Sequence, residues 1–201
     1  MMGTYQRVAA VLCVVVGAFW ASAAGAHPSA MVTGGVTSQP IGHYEFCQRF
    51  LAECQVRSRD ETPLAMSDEL LARLEQLTAK INAAVQPMSD LDLYGVEEYW
   101  GFPMDAGDCE DYVLEKRRIL MKEGVSPSNL LITVLRRASG EGHAVLTVRT
   151  DQGDVILDNL NDVVMNWDET SYNFLKRQST THTGRWVTIR EGEAPLVGSL
   201  H

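Results

Sequence analysis

The sequence lacks the short motifs that mark several large classes of enzyme. It contains no His-Glu-x-x-His run and no Cys-x-x-Cys pair, the spacings of common zinc sites, and no glycine-rich phosphate-binding loop. After its N-terminal segment it also has no apolar run long enough to span a bilayer. Zinc enzymes, phosphate-loop nucleotide hydrolases and polytopic membrane proteins are therefore poor interpretations.

Basic residues are also few. The chain of 201 residues has 17 Lys and Arg against 26 Asp and Glu, a formal net charge of −9 at pH 7. An acidic surface repels the phosphates of nucleic acids, so the composition argues against a nucleic-acid partner. The length beyond residue 26 suits one domain with one sizeable core.

The N-terminal segment has the three parts of an export signal. Arg7 supplies a positive charge, residues 8–20 form an apolar run, and an Ala-Gly-Ala cleavage site closes the segment. We therefore expect residues 1–26 to be a signal peptide and the mature protein to be periplasmic or secreted. An N-terminal anchor that is not cleaved is the alternative.

Cysteine is scarce, and its count is informative in an exported chain. Without the predicted signal, Cys47, Cys54 and Cys109 remain in an oxidising compartment. Cys47 and Cys54 are the economical disulfide pair, which leaves Cys109 as a free thiol. A continuous helix would separate the pair by about 10.5 Å, beyond the roughly 7 Å that a disulfide allows, so no single helix joins them. Two buried, reduced cysteines are the alternative.

Turn-forming residues and apolar periodicity divide the chain into segments. Residues 27–42 are rich in Gly, Ser, Thr and Pro and predict a mobile leader or surface arm without a core. One helix is predicted from its N-cap Ser67 to Pro87, with an apolar stripe of Leu70, Leu74, Leu77, Ile81 and Val85. A second helix is predicted from Glu110 to Gly124.

The rest of the chain has the pattern of strands. β-Branched and alternating apolar residues predict strands at residues 130–136, 143–149, 155–158, 172–178 and 185–190. Helices followed by an antiparallel sheet indicate an α+β fold. We expect a signal peptide at 1–26, an N-terminal arm with the disulfide at 27–66, and the main domain at 67–201.

Cys109 is the candidate nucleophile because it lies at the start of a predicted helix. The free N–H groups and partial positive charge of a helix start stabilise a thiolate and could bind an oxyanion. Asp108, Glu110 and Asp111 oppose this, since nearby negative charge raises the pKa of a thiol. A protonated imidazole or a hard cation such as Ca²⁺ would offset that charge, or the acids simply favour a helix start.

His143 and Asp158 are the candidate base and the residue that orients it. If residues 150–153 form a hairpin loop, Asp158 lies opposite Val145 and becomes a diagonal neighbour of His143 on one face of the sheet. A slip of one residue would put the two on opposite faces. Each signal is weak alone, but together they predict a triad of Cys109, His143 and Asp158.

The remaining histidines and the tryptophans give weaker signals. The histidines outside the triad fall in predicted loops or ends and are expected at the surface: His27, His43, His182 and His201. The large apolar side chains of Trp100, Trp167 and Trp186 favour a core role over a substrate groove.

Four segments resemble the bacterial transglutaminase-like cysteine proteinase family: Tyr99 to Gly101, Gly107 to Tyr112, Gly142 to Leu146, and Val155 to Asn159. The resemblance implies a papain-like fold in which the nucleophile lies at a helix N-terminus packed on an antiparallel sheet. It carries the triad over as Cys109, His143 and Asp158. It also implies a Ca²⁺ site of Asp108, Glu110 and Asp111, and a periplasmic protease that releases a surface adhesin.

These observations together predict an exported cysteine endopeptidase that forms a thioester acyl-enzyme with a protein substrate. Ca²⁺ is the expected metal, and no organic cofactor is expected. A transglutaminase or amidase would use the same acyl-enzyme. A non-catalytic, calcium-responsive binding module in the periplasm is the alternative outside enzymology, and a regulatory partner is unknown.

Overall fold

A seven-stranded sheet with helices packed against one face forms the body of the chain. The computed structural model describes residues 30–190. The elements in this range are β1 (Thr33–Thr37), α1 (Ile41–Arg49), α2 (Leu51–Cys54), α3 (Asp68–Ala84), β2 (Gln86–Pro87), α4 (Asp90–Tyr94), β3 (Ala106–Gly107), α5 (Cys109–Lys122), β4 (Leu130–Arg136), β5 (Gly142–Thr150), β6 (Gly153–Leu157), β7 (Met165–Asn166), β8 (Asn173–Ser179) and β9 (His182–Ile189). The predicted signal peptide, His27 and His201 lie outside these residues.

The large sheet is antiparallel, with the strand order β1-β9-β8-β4-β5-β6-β7. Helices α3 and α5 cover one face, where the larger core cluster includes Leu74, Leu77, Leu114, Leu146 and Leu157. A smaller cluster on the other face includes Leu135, Val145, Ile156 and Phe174. This mixed arrangement agrees with the predicted α+β class. Among the described helices, none has the length and hydropathy needed to cross a membrane.

The two predicted long helices begin and end close to the expected residues. Ser67 Oγ accepts a hydrogen bond from the Leu70 N–H at 3.1 Å, which confirms the N-cap of α3. Helix α3 ends at Ala84, three residues before Pro87, because Val85 already has an extended backbone. Helix α5 ends at Lys122, and Gly124 follows with a φ of 95°, a conformation that glycine adopts without strain.

The β5–β6 hairpin has the predicted register. Thr150 pairs with Gly153 and Thr147 pairs with Ile156, so the next step along the ladder puts Asp158 opposite Val145. Gly153 has a φ of 118°, which glycine tolerates, and it leads directly from the tight turn into β6. The register therefore places His143 and Asp158 on the same face of the sheet.

The predicted disulfide between Cys47 and Cys54 is confirmed. Their Cα atoms lie 5.6 Å apart, and Phe50, with φ −124° and ψ 59°, breaks the helix between them into α1 and α2. Cys109 is a free cysteine, as the odd count predicted.

The expectation of a coreless arm at residues 27–42 is wrong for the described part. Strand β1 pairs with β9 at the edge of the sheet, and Met31 is buried in the smaller core cluster. The Met31 N–H donates to Asp154 Oδ2 at 2.9 Å, and the Arg177 guanidinium donates to the same oxygen at 2.8 Å. A segment rich in Gly and Thr forms an edge strand here because backbone hydrogen bonds do not require apolar side chains.

The expectation that His43 lies at the surface is also wrong. His43 belongs to α1 and is 1% exposed, with Trp100 and Trp186 packed edge-on against its ring. The Trp186 indole donates to His43 Nδ1 at 3.2 Å. Burial, followed by the charge of Arg117, lowers the pKa of His43 to about 3. Trp100 and Trp186 thus have the predicted core role, whereas Trp167 is half-buried.

The buried His43 predicts a pH dependence of stability. Its pKa is about 3 in the folded chain and 6.5 in the unfolded chain, so the unfolded chain binds the proton first as pH falls. The stability that comes from neutral His43 is complete above pH 6.5 and is lost between pH 6.5 and 3. We expect His43→Asn to be less stable than wild type at pH 7 and to lose less stability on acidification.

Urea unfolding at a series of pH values measures this difference. The control His182→Asn removes a half-buried histidine and should retain most of the wild-type slope. Parallel curves for wild type and His43→Asn would contradict the assignment.

Candidate functional site

Cys109 is the first residue of α5. The helix begins there because the preceding residue, Asp108, has an extended backbone with φ −110° and ψ −165°. The thiol is half-buried, and its Sγ donates to Glu110 Oε2 at 3.1 Å. The free sulfur therefore lies at a helix N-terminus, as the sequence predicted.

Cys109 lines two cavities. One has a volume of about 460 Å³ and the other about 590 Å³. Four residues line both cavities: Asp108, Cys109, Gly142 and His143. Trp100 and Leu175 add apolar surface to the first cavity, and Met88 and Leu160 add it to the second. An extended polypeptide bound across both cavities would pass the Cys109 thiol and the His143 imidazole.

His143 and Asp158 are in direct contact. His143 Nε2 lies 2.8 Å from Asp158 Oδ1 in a nearly water-free position, since Asp158 is 1% exposed. Burial by itself raises the pKa of Asp158, but hydrogen bonds from His143, Tyr172 and the Leu160 N–H hold it below the usual value. Asp158 is therefore a carboxylate that can orient the imidazole and stabilise its protonated form.

The thiol and the imidazole share cavity walls without a direct bond. Within residues 30–190, no hydrogen bond joins Cys109 to His143, because the thiol is turned towards Glu110. The imidazole uses Nε2 for Asp158, which leaves Nδ1 as the nitrogen that can serve Cys109. The structure thus brings two of the three predicted residues into contact and places the third on the walls of the same cavities.

A cluster of buried carboxylates lies beside the thiol. One oxygen each from Asp90, Asp108 and Asp111 lies within 4.8 Å of the others. Asp90 Oδ1, Asp108 Oδ1 and Asp111 Oδ2 are buried without a hydrogen-bond partner in the described residues. Their second oxygens differ: Asp111 Oδ1 accepts from the Gly101 N–H at 2.8 Å, and Asp90 Oδ2 accepts from the Tyr99 N–H.

The position of Asp111 depends on the lack of a side chain at Gly107. A Cβ atom at Gly107 would lie 2.4 Å from Asp111 Oδ2, too close for any real contact. The glycine of the Gly-Asp-Cys segment therefore has a steric role: it makes room for one carboxylate of the cluster.

Burial of so much acid raises several pKa values. Burial is the largest cause at Glu110, Asp111 and Asp90, with the charge of Asp108 adding to each, and their pKa values rise to about 9, 7 and 6 respectively. Burial and the charge of Glu110 also raise the pKa of the Cys109 thiol. Burial and these acids thus oppose thiolate formation in the folded chain, as the sequence predicted for the acids.

Only part of this cluster was predicted. Asp108 and Asp111 join Asp90, which the sequence did not single out, whereas Glu110 groups with Asp108 and the Cys109 sulfur. Asp90 follows Ser89, the N-cap of α4, and an acid at that position is common without a metal. Tyr172, whose hydroxyl bonds Asp158, was also missed, because a tyrosine at a strand start carries no functional signal.

The chain matches the family described as bacterial transglutaminase-like cysteine proteinase, BTLCP, over residues 33–194. The comparison with curated proteins gives no significant match. Among solved structures, the chain is similar to calcium-bound Legionella pneumophila LapG, with a TM-score of 0.50, 23% identity, and coverage of 64% of this chain and 75% of that chain.

Two more structures from the same organism are similar. Legionella pneumophila LapG has a TM-score of 0.49, 23% identity, and coverage of 59% of this chain and 67% of that chain. Its EGTA-treated form has a TM-score of 0.48, 21% identity, and coverage of 63% and 74%. The likeness to the calcium-bound structure concerns the fold, whereas the family match spans most of the sequence. The chain belongs to the bacterial transglutaminase-like cysteine proteinases, a family of cysteine peptidases.

Proposed function

We propose that this cysteine peptidase is an endopeptidase in which Cys109 is the nucleophile, His143 the general base and Asp158 the residue that orients the base. The observation that carries the proposal is the contact of 2.8 Å between Asp158 and His143, which lines the same two cavities as Cys109. The family match supports the peptidase class.

Each residue has a defined task in this mechanism. His143 Nδ1 takes the thiol proton, and the Cys109 sulfur attacks the peptide carbonyl to form a tetrahedral oxyanion. The Cys109 amide is in the first turn of α5, where N–H groups lack intrahelical acceptors, so it can donate to that oxyanion. His143 then gives its proton to the leaving amine, the C–N bond breaks, and water hydrolyses the remaining thioester.

The conformation of the thiol sets a condition for this chemistry. Sγ faces Glu110, so the mechanism requires the thiol to turn towards His143. The amide of Ala144 supports the thiolate, because its hydrogen bond lowers the pKa of Cys109 against the larger effects of burial and Glu110. Reducing the negative charge beside the sulfur would favour the same ionised form.

Ca²⁺ is the cation that the carboxylate cluster fits. Asp90, Asp108 and Asp111 present three buried oxygens without partners, and hard oxygen ligands of this kind suit Ca²⁺. When bound, the ion would neutralise carboxylates beside the start of α5. We therefore assign Asp90, Asp108 and Asp111 as the side chains that would hold it, whereas Glu110 groups with Asp108 and the Cys109 sulfur.

The family and the predicted signal peptide support a proposal for the substrate and the location. We propose that residues 1–26 direct export and that the mature enzyme is periplasmic or secreted. Within residues 30–66, β1 and α1 belong to the same sheet and core as the rest of the domain. The substrate of the mature enzyme is then a periplasmic or cell-surface protein, with a surface adhesin as the first candidate to assay.

Asp158→Asn should lower kcat on the order of 1000-fold in a peptide-cleavage assay, because a neutral amide does not stabilise the imidazolium ion. Cys109→Ala should abolish cleavage. The matched control is Asp162→Asn, an exposed carboxylate near Asp158 whose Oδ1 accepts only from Asn82 in the described residues. Cleavage by Cys109→Ala would refute the proposed nucleophile.

Asp90→Asn should weaken Ca²⁺ binding by roughly tenfold or more, because each carboxylate ligand adds strongly to Ca²⁺ affinity. Isothermal titration of the metal-free protein with Ca²⁺ measures this. The control Asp92→Asn changes an exposed acid of the same helix whose Oδ2 is bonded to Ser89 and not to the cluster. Equal affinity in the two variants would remove Asp90 from the site.

A further inference from the structure

Two sets of hydrogen bonds hold Asp158. One set acts on its backbone carbonyl and the other on its carboxylate. Its backbone carbonyl accepts from Asn82 Nδ2 at 2.9 Å and from Lys116 Nζ at 3.0 Å. These donors belong to α3 and α5, so the helical layer fixes the backbone of Asp158. They do not determine how the carboxylate is turned about its own side-chain bonds.

The two carboxylate oxygens of Asp158 have different partners. Oδ1 contacts His143 Nε2 at 2.8 Å and accepts from the Leu160 N–H at 3.0 Å. Oδ2 accepts from the Tyr172 hydroxyl at 2.5 Å, its one donor among the described residues. Without Tyr172, a buried carboxylate oxygen would lack a partner, which is costly in a water-poor position.

Tyr172 contacts the base as well as the carboxylate. Its ring meets His143 edge-on at a centroid distance of 5.8 Å and an interplanar angle of 62°, and it rests against Phe174 at 6.2 Å. Tyr172 lines neither of the two cavities. It is therefore placed to influence the base while remaining out of reach of a substrate in the cavities.

Strand pairing brings Tyr172 to this point. Leu135 of β4 pairs with His143 of β5 on one side and with Phe174 of β8 on the other. Paired residues share a face of the sheet, and Tyr172 lies two residues before Phe174 along the chain. This strand pairing thus places Tyr172 on the face of the sheet that carries His143 and Asp158.

We propose that Tyr172 is a positioning residue for the catalytic base. Its hydroxyl fixes the Asp158 carboxylate so that Oδ1 faces His143 Nε2, and the imidazole then presents Nδ1 to Cys109. This role rests on the proposed function of the triad. Burial and the bond to Asp158 raise the pKa of Tyr172, so the hydroxyl keeps its proton and remains a donor at neutral pH.

Tyr172→Phe deletes the hydroxyl and retains the ring contacts with His143 and Phe174. We expect kcat to fall about tenfold, as for the loss of one hydrogen bond to a charged group, with KM unchanged because Tyr172 does not reach the substrate. The same substitution should have almost no further effect on kcat in an Asp158→Ala background, since the residue acts through Asp158.

The control Tyr112→Phe removes another tyrosine hydroxyl, which donates to the Val85 carbonyl at 2.6 Å in the buried core. It should lower the melting temperature and leave kcat within about twofold of wild type. If Tyr172→Phe acted only by lowering stability, it would behave like Tyr112→Phe, with a lower melting temperature and nearly unchanged kcat. An equal loss of kcat from Tyr172→Phe in both backgrounds, or no loss in either, would overturn the proposal.

A measurement without substrate separates this proposal from the proposed function. In protein with ¹⁵N-labelled histidine, NMR should show a slowly exchanging proton shared between His143 Nε2 and Asp158 in wild type, assigned through its loss in His143→Ala. That signal should exchange faster or disappear in Tyr172→Phe. If it responds while the wild type shows no Cys109-dependent cleavage, the peptidase mechanism fails and the positioning of the imidazole stands. An unchanged signal in Tyr172→Phe refutes the positioning role.

Discussion

The register between β5 and β6 is the constraint on which the site depends. Because successive strand residues point to opposite faces, a shift of one residue would send His143 and Asp158 to different sides of the sheet. Pairing of Thr150 with Gly153 excludes that shift. The position of Tyr172 also depends on strand pairing. Strand β4 lies between β5 and β8 and pairs with both, so His143 of β5 and Phe174 of β8 lie on one face of the sheet.

Electrostatics set a second requirement at the start of α5. A helix N-terminus favours a thiolate, but burial, together with the charge of the surrounding acids, raises the pKa values of Cys109 and Glu110. The buried oxygens of Asp90, Asp108 and Asp111 would be costly as bare charges. The proposed cation would offset the charge in both cases, so metal binding and thiol activation would both depend on this one local charge distribution.

The segment from β1 to α2 is part of the main sheet and of its larger core. Its β1 extends the sheet, and α1 contributes His43 to a core shared with Trp100 and Trp186. The disulfide between Cys47 and Cys54 is buried beside the same histidine. Trp100 belongs to the larger core cluster and also lines the first cavity, so this part of the core adjoins the candidate site.

Local patterns in the sequence determined the α3 cap at Ser67, the disulfide pairing, the hairpin register and the position of Cys109 at a helix start. Each of these follows from residues close together in the chain, where spacing and turn chemistry limit the geometry. Only the tertiary structure decided that Asp90 joins Asp108 and Asp111, that Tyr172 bonds Asp158, and that His43 is buried. Those contacts join side chains on different helices, strands and loops, and packing of the whole sheet and its helices is what brings them together.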